Sequence, residues 1–475
     1  MKKREKLLLF LKDKKILILG FGSEGQAAYT YLRQNFPQKI IGVADRLTTK
    51  KFGEKQQNIL KSDKQLKIHL GRKYLGDLNK YDLIIKSPGV PSHLPQIKTF
   101  IKRGGKITSQ TELLLEYCPG EIVGVTGTKG KTTTASLIYE ILRTKFRDVR
   151  LVGNIGHTSL SFVNRARKNT IFVFEFSSHQ LVSLKVSPHV AVFLNIFPEH
   201  LDYYSNFRKY LRAKENITLH QKTNDYFIYN RAFPDIRRIA SKTRANNIPF
   251  SLEARKGSIC FIKDNYLLYR KERIIKTTEV PLLGRFNLQN VMPAVIVAKL
   301  YHIPNREIVK TIGNFHPVKH RLEKVGTFNE IIFYNDSIAT IPQATIAALE
   351  ALGNQVETLI LGGYERHLNY HQLATKILET KLKNLILFPT TGKEIWRNIK
   401  LEIGDRKSNL PNHLFTKEME KAVVWAYRYT SPGKICLLSP AAASFNLFRD
   451  YQERGNLFKK YVKKIGQASS DNRQP

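Results

Sequence analysis

Gly124-Val-Thr-Gly-Thr-Lys-Gly-Lys-Thr-Thr-Thr134 decides how this chain is read. The apolar run Ile122–Val125 leads into it, and a helix-like stretch, Ala135–Leu142, follows. Strand, glycine-rich turn and helix make a phosphate cradle. Backbone N–H groups line the turn, the helix N-terminus adds positive potential, Lys131 reaches the outer phosphates, and the Thr132 hydroxyl can ligate magnesium. The general P-loop pattern places a glycine five residues before the Gly-Lys pair. Val125 stands there instead, with glycines at Gly124 and Gly127, so the loop is a variant form. The context argues against a plain structural turn.

Outward from that loop the chain divides into three blocks. The first, from Lys14 to about Tyr117, alternates short apolar strands (Ile16–Leu19, Ile40–Val43, Leu83–Lys86) with polar helical stretches. The second begins at Glu121 and continues through strands at Ile171–Phe174 and Val190–Leu194. The third begins near Pro317–Arg321, with strands at Ile331–Tyr334, Leu359–Leu361, Leu385–Phe388 and Ile435–Leu438. Buried strands separated by helix-length segments predict an α/β protein with parallel sheets wrapped by helices. The expected boundaries are 1–118, 119–317 and 318–475, with a disordered polar tail from Gly466 to Pro475.

The 475 residues, 42% hydrophobic and 25% charged, exclude wholesale disorder. Three distant cysteines, Cys118, Cys260 and Cys436, form neither a disulfide framework nor a metal knuckle and indicate a reducing compartment. Leu7–Leu11 is too short for a signal-peptide core, and no run is long enough to span a membrane. A cytoplasmic enzyme is expected. The net charge of +39 comes from 78 Lys and Arg against 39 Asp and Glu. It is compatible with nucleic acid, an anionic membrane surface or an anionic substrate. The basic residues are spread along the whole chain and no RNA- or DNA-binding motif stands out, so no specific nucleic-acid function is expected.

The first block has its own glycine motif. Ile16–Leu19 leads into Gly20-Phe-Gly22-Ser23-Glu24-Gly25, and Asp45 lies 20 residues beyond Gly25. This is the dinucleotide-binding pattern, here compatible with NAD, FAD or another nucleotide. Asp45 could bind a ribose or cap a helix. The turn Lys86-Ser87-Pro88-Gly89-Val90-Pro91 follows another strand and could close over the same ligand.

A nucleotide-type first block followed by a P-loop block resembles the Mur ligases, and the resemblance covers nearly the whole chain. Gly127-Thr128-Lys129-Gly130-Lys131-Thr132 is similar to their ATP loop. Phe174-Glu175-Phe-Ser-Ser-His-Gln180-Leu is similar to their magnesium motif, and Asn195-Ile-Phe-Pro-Glu-His200-Leu-Asp202 to their Asn-x-x-x-(Asp/Glu)-His-x-Asp motif. Lys209–Lys214 matches the segment whose last lysine is carbamylated in the family. Asn287 and Asn290 match adenine-contacting asparagines; His320-Arg321 and Asn335-Asp336-Ser337 match an interdomain arginine and aspartate. Gly20–Gly25, Ser87–Pro91, Leu361-Gly-Gly-Tyr-Glu-Arg366 and Leu438–Ser444, with a run ending in Arg454-Gly455, resemble the branch of the family that adds D-glutamate.

The resemblance implies a Rossmann-like first domain, a P-loop ATPase-like central domain and a Rossmann-like last domain. It implies a monomeric ligase that uses ATP and two Mg2+ to join D-glutamate to UDP-N-acetylmuramoyl-L-alanine through an acyl-phosphate. ATP would lie on Gly127–Thr133, Asn287, Asn290, Arg321 and Asp336. The metals would be held by Thr132, Glu175, His200 and carbamylated Lys214. Lys131, His200, Lys214 and Arg321 would be catalytic. The UDP-sugar would meet Gly22, Ser23, Glu24, Asp45, Arg46, Ser87, Pro88, Gly89, Asn154 and His200. D-Glutamate would meet Thr340, Arg366, Ser444 and Tyr451. Two positions depart from the family pattern. Ile338 stands where a lysine is usual, and Lys129 replaces a common asparagine.

Overall fold

The computed structural model describes residues 2–153, 160–316, 319–404 and 410–471. It contains three mixed α/β sheets. The first comprises β1 (Ile16–Leu19), β2 (Ile41–Asp45), β3 (Leu66–Leu70), β4 (Leu83–Lys86) and β5 (Lys106–Thr108), ordered β3-β2-β1-β4-β5. Every pair is parallel. β1 and β4 are buried along their whole length, as strands covered on both faces must be. Strand order reverses at β1, so the exits of β1, β2 and β4 share one crevice.

The second sheet has nine strands: β6 (Glu121–Thr126), β7 (Val149–Gly153), β8 (Ile171–Glu175), β9 (Val190–Phe193), β10 (Tyr226–Asn230), β11 (Asn246–Phe250), β12 (Cys260–Lys263), β13 (Tyr266–Tyr269) and β14 (Glu272–Lys276). Their order is β14-β13-β12-β11-β10-β9-β6-β8-β7. It is parallel from β7 to β12 and ends in the antiparallel meander β12-β13-β14. β6 sits at the switch between β8 and β9, and the phosphate-loop sequence leaves its carboxyl end.

The third sheet, β15 (Glu323–Phe328), β16 (Ile331–Asn335), β17 (Val356–Gly362), β18 (Asn384–Phe388), β19 (Asn412–Phe415) and β20 (Ile435–Leu438), is ordered β15-β16-β20-β17-β18-β19. Only β15 is antiparallel. Here β20 is the switch strand. Contacts divide the chain into two compact units, residues 1–277 with 289–312, and residues 278–288 with 313–475.

The tail departs from expectation. Residues 466–471 continue the helix Tyr451–Asp471, and residues 472–475 of the expected tail lie outside the described residues. That helix packs on the third sheet: Tyr427 donates its hydroxyl proton to Val462 O at 2.7 Å, and Phe458 and Val462 are fully buried. A Cβ at Gly466 would lie 2.7 Å from Phe328 Cβ, so the glycine is a close helix-to-strand contact.

Candidate active site

Three strand exits of the first sheet, those of β1, β2 and β4, carry residues that the sequence singled out. Gly20 donates from its N–H to Ala44 O at 2.7 Å, and Phe21 N–H donates to Asp45 Oδ2 at 2.7 Å. Ser87 Oγ donates to Gly20 O at 2.8 Å. The β1, β2 and β4 exits are thus tied into one surface bearing Gly22, Ser23, Asp45, Arg46, Ser87, Pro88 and Gly89. Asp45 takes part through its carboxylate, which also accepts from Leu47 N–H at 2.8 Å. A Cβ at Gly25 would lie 2.1 Å from Gly20 O, so the third glycine of the motif is a steric requirement of helix packing on the turn. Asn154 lies outside the described residues.

Glu24 joins this surface to the second sheet. Gln180, in the helical turn Ser178–Leu181, donates from Nε2 to Glu24 Oε1 at 2.9 Å. Burial raises the Glu24 carboxyl, with Gln180 and Lys86 opposing. Burial pushes the Lys86 ammonium down to about 8, against the pull of Glu24. Lys86 Nζ donates to Val90 O at 2.8 Å and so shapes the Ser87–Pro91 turn.

In the second sheet the variant loop becomes clear. Gly124 lies inside β6, where a Cβ would be 2.6 Å from the Phe176 ring. It is a packing glycine, and the cradle proper is Gly127–Gly130. Gly130 has φ +84 and caps the helix Lys131–Arg143; a Cβ there would lie 2.0 Å from Asn290 Oδ1. Asn195, just past β9, fixes the turn. Its Oδ1 accepts from Thr128 N–H at 3.1 Å and Lys129 N–H at 2.8 Å, and its Nδ2 donates to Lys129 O at 2.9 Å. Lys131 Nζ donates to Gly127 O at 3.1 Å and Thr128 O at 3.0 Å. Thr133 is buried in the first turn of the helix, so its backbone is what can serve a phosphate.

The proposed metal residues gather beside this loop. Thr132 Oγ1 donates to Glu175 Oε2 at 2.9 Å. Glu175 ends β8, and its register partner on β6 is Val125. Lys214, on the helix Phe207–Leu219, is 1% exposed; its Nζ donates to Gly127 O at 2.8 Å and reaches Thr126 Oγ1 at 3.3 Å. Burial first, then Lys131, lowers its pKa well below the ordinary lysine value. His200 has φ +56, an uncommon conformation for a side chain of its size and one found at functional sites. Its ring lies 4.9 Å from His179 and 6.3 Å from Tyr210. The neighbouring Glu199 carboxylate accepts from Lys129 Nζ at 3.0 Å. The donor chemistry fits the expected groups: a glycine cradle with lysines for phosphate, and hydroxyl plus carboxylate oxygens for magnesium. Among the described residues no group of three or more His, Cys, Asp or Glu converges.

Asn290 is on the helix Arg285–Leu300 and holds Thr134 Oγ1 through its carbonyl at 3.1 Å. Asn287 on the same helix donates to Leu283 O at 2.6 Å. The third sheet holds the remaining residues. Asp336 follows β16; its Oδ1 accepts from Leu322 N–H at 3.2 Å, next to Arg321, and its Oδ2 from Ser439 Oγ at 2.9 Å. Tyr364 pairs with Ala443, and the Arg366 guanidinium stands 5.6 Å from the ring of Phe445, the residue after Ser444. Thr340 lies on the Asp336 loop. Tyr451 contributes a backbone carbonyl to Ser337 Oγ at 2.8 Å, with its ring centroid 6.0 Å from that of His320. Ile338 takes the family lysine's place half-buried, with its N–H donating to His320 O at 3.2 Å.

Comparison with known proteins settles the kinship. Residues 14–109 match the family model for the Mur ligase MurD-like N-terminal domain, and residues 125–298 that for the Mur ligase middle domain. The UDP-N-acetylmuramoylalanine--D-glutamate ligase of Acetivibrio thermocellus is 34% identical over 96% of this chain and 97% of its own. The chain belongs to the Mur ligase family. The D-glutamate ligase of Geobacillus kaustophilus is 32% identical, over 96% of this chain and 99% of its own. Among solved Mur ligases, the UDP-N-acetylmuramate-alanine ligase MurC of Thermotoga maritima superposes with a TM-score of 0.59 at 17% identity, covering 96% of this chain and 100% of that one. The MurF ligase of Thermotoga maritima, solved with ADP, gives 0.58 at 16% identity, covering 96% and 97%. These two show the fold.

Sequence reasoning passed over several residues that the geometry makes important. Asn195 was visible as a motif letter but not as the clamp of the loop. Gln180, Glu199 and Arg454 carry no signal beyond their motifs, because each acts through a partner far away in sequence.

Proposed function

We propose that this chain joins the amine of D-glutamate to the carboxyl of UDP-N-acetylmuramoyl-L-alanine, using ATP and magnesium, in cytoplasmic synthesis of the peptidoglycan precursor. The observation that carries the reading is the buried Lys214 amine beneath the Gly127–Gly130 cradle, beside the Thr132–Glu175 pair, in a chain 34% identical to a D-glutamate ligase. A carboxylate is a poor acyl donor; phosphorylation makes it one, and phosphoryl transfer needs mainly positioning and charge neutralisation. Gly127–Thr133 hold the ATP phosphates, and Lys131 neutralises the transferring group. Arg321 and Asp336 serve ATP from the third block, with Asn287 and Asn290 at the adenine. The first-sheet exits hold the UDP-sugar. Arg366, Ser444, Thr340 and Tyr451 form the D-glutamate side.

Magnesium, when bound, supplies charge neutralisation on the phosphates. Thr132 and Glu175 offer hard oxygen atoms for one ion. His200 and Lys214 serve a second, which requires Lys214 to be carbamylated, since an ammonium cannot ligate a cation. The lowered Lys214 pKa supports that chemistry, because only the neutral amine attacks carbon dioxide. The domain division 1–118, 119–317 and 318–475, which gives each block one sheet, belongs to the same reading, as does a monomer. Among the described residues no helix is long and apolar enough to cross a membrane.

The test is an ATP-dependent phosphate-release screen of the purified chain with each UDP-muramoyl precursor and each candidate amino acid. Release only with UDP-N-acetylmuramoyl-L-alanine and D-glutamate is expected. Preference for another pair overturns the assignment. A parallel titration with UDP and NAD checks the first sheet; tight NAD binding without UDP-sugar binding overturns that part.

A further inference from the structure

Arg454 is fully buried, the largest side chain to be so among the described residues. It lies in the first turn of the helix Tyr451–Asp471, whose opening packs against the carboxyl end of the third sheet. Its Nε donates to Ser337 Oγ at 3.0 Å, its Nη2 to Ser337 O at 2.7 Å, and its Nη1 to Ala442 O at 3.1 Å. A Cβ built on Gly363 would stand 3.2 Å from Nη1. Ser337 belongs to the β16 exit, Ala442 to the β20 exit and Gly363 to the β17 exit. One guanidinium therefore bonds the β16 and β20 exits and fills the space a side chain on Gly363, at the β17 exit, would need.

Burying an arginine costs free energy unless its donors are satisfied and a counter-charge is near. Here two carbonyls and a hydroxyl accept from it, and Asp336 supplies the opposing charge, holding up a pKa that burial lowers. Asp336 in turn accepts from Ser439 Oγ, so the β16 and β20 exits are cross-linked twice. The next residue is equally constrained. A Cβ at Gly455 would lie 2.2 Å from His320 Nδ1 and 3.0 Å from Asn335 Nδ2, and Asn335 Nδ2 lies 3.0 Å from His320 Nδ1 and donates to Glu323 Oε2 at 3.0 Å. The Arg-Gly pair thus fits the helix start against the base of the loops that bear Asp336 and Thr340, Arg366, and Ser444.

We propose that Arg454 is a positioning residue of the amino-acid pocket, fixing the separation of the Asp336–Thr340, Gly363–Arg366 and Ala442–Ser444 loops through Ser337 and the Ala442 carbonyl. This rests on the placement of the amino-acid substrate on these loops given above. Being wholly buried, Arg454 acts on the substrate only through the loops. A planar fork with donors on three nitrogens can bridge two loops at once; a lysine has one nitrogen and cannot span them.

The test uses the full chain with Arg454→Lys and Ser337→Ala. Both are expected to raise KM for the amino acid, about tenfold or more for Arg454→Lys, as for a misplacement of about 1 Å, and less for Ser337→Ala. The KM for the UDP-sugar, whose residues lie on the first sheet, stays within twofold. Because Ser337 is what Arg454 grips, the double variant loses less than the product of the single effects. Hydrogen exchange, read without any substrate, is expected to quicken in residues 336–340 and 441–445 of both variants while the buried strand β17 stays protected. Equal changes in every KM, or wild-type protection of both loops, would overturn the proposal. Should Arg454→Lys fail to fold, Ser337→Ala and the exchange pattern decide it. Should the unmodified chain prefer another amino acid, the D-glutamate assignment falls, and the KM comparison is made with the acid that is used.

Discussion

Glu199 and Lys129 offer a test of the electrostatics around the phosphate loop. Burial alone would raise the Glu199 carboxyl, but Lys129, His200 and Lys131 together bring it from 4.5 down to about 2. That drop is worth about 3 kcal/mol in favour of the ionised, folded form. Lys129 is the leading cation and donates a 3.0 Å hydrogen bond, so a large part of that worth, on the order of 2 kcal/mol, falls to it. The side chains of Lys129 and Glu199 keep 22% and 10% of their surface, which holds the figure below the 3–5 kcal/mol typical of breaking a fully buried pair.

Lys129→Met keeps the stem and removes the charge. Glu199 has a depressed folded-state pKa. Its stabilisation is therefore complete above about pH 4.5 and is lost as pH falls toward 2. The variant should be less stable than the wild type by on the order of 2 kcal/mol at pH 7, and the gap should narrow steadily below pH 4.5. Urea unfolding followed by far-ultraviolet circular dichroism measures it. The two tryptophans, Trp396 and Trp425, both lie in the unit that holds the third sheet, so their emission serves as a control that should not move. A gap that is absent at neutral pH, or the same at pH 7 and pH 3, would refute the charge-pair account.

The other expectations concern the site itself. Lys214→Ala should abolish most phosphate release, with partial rescue by acetate and none by bicarbonate, while bicarbonate depletion should slow the wild type; near-normal turnover of the variant at low bicarbonate would remove the lysine from the metal site. Gly130→Ala forces a side chain into a left-handed residue, costing roughly 1–2 kcal/mol, and drives its Cβ to 2.0 Å from Asn290 Oδ1; fluorescent-ATP titration should show affinity falling by about tenfold or more, and unchanged affinity would mean the loop rearranges freely. Arg366→Ala removes a charge-assisted contact worth on the order of 2–3 kcal/mol and should weaken D-glutamate use by tens to about a hundredfold with little effect on ATP or UDP-sugar constants; equal losses for all three would assign Arg366 to the fold.

The elements most legible in the sequence are those whose physics is local. Ile16–Leu19, Leu83–Lys86 and Ile435–Leu438 are continuous apolar or nearly apolar runs, and each forms a strand with those same limits. β3, Leu-Lys-Ile-His-Leu, escaped notice because it is a part-exposed edge strand whose Ile68 is 43% exposed. The meander β12-β13-β14 was hidden by its mixed polar pattern and by the expectation of parallel sheets throughout. The phosphate loop was legible because its glycines answer steric demands within a few residues. The polar partners were not. Nothing near Asn195 in the sequence says that its amide will hold residues 128 and 129, and nothing near Glu24 points to Gln180, 156 residues away.

The charge distribution at the loop also bears on why Lys214 is suited to carbamylation. Lys129, Lys131 and Lys214 stand together, with Glu199 and Glu175 as the carboxylates that act on Lys214. Glu199 is already engaged by Lys129, and Glu175 by the Thr132 hydroxyl. A third ammonium, buried, is therefore disfavoured by burial and by both neighbouring lysines, which favours the neutral amine. Converting it to a carbamate reverses its relation to Lys131 and Lys129, turning two repulsions into attractions while supplying the oxygen ligand that magnesium requires. A carbamate keeps one N–H on Nζ, so the bond to the Gly127 carbonyl can persist while the new oxygen atoms face the metal. The cations that depress Lys214, Lys131 and Lys129, are the same ones proposed to meet phosphate. In the proposed reading, one cluster of lysines prepares both the metal ligand and the site of phosphoryl transfer.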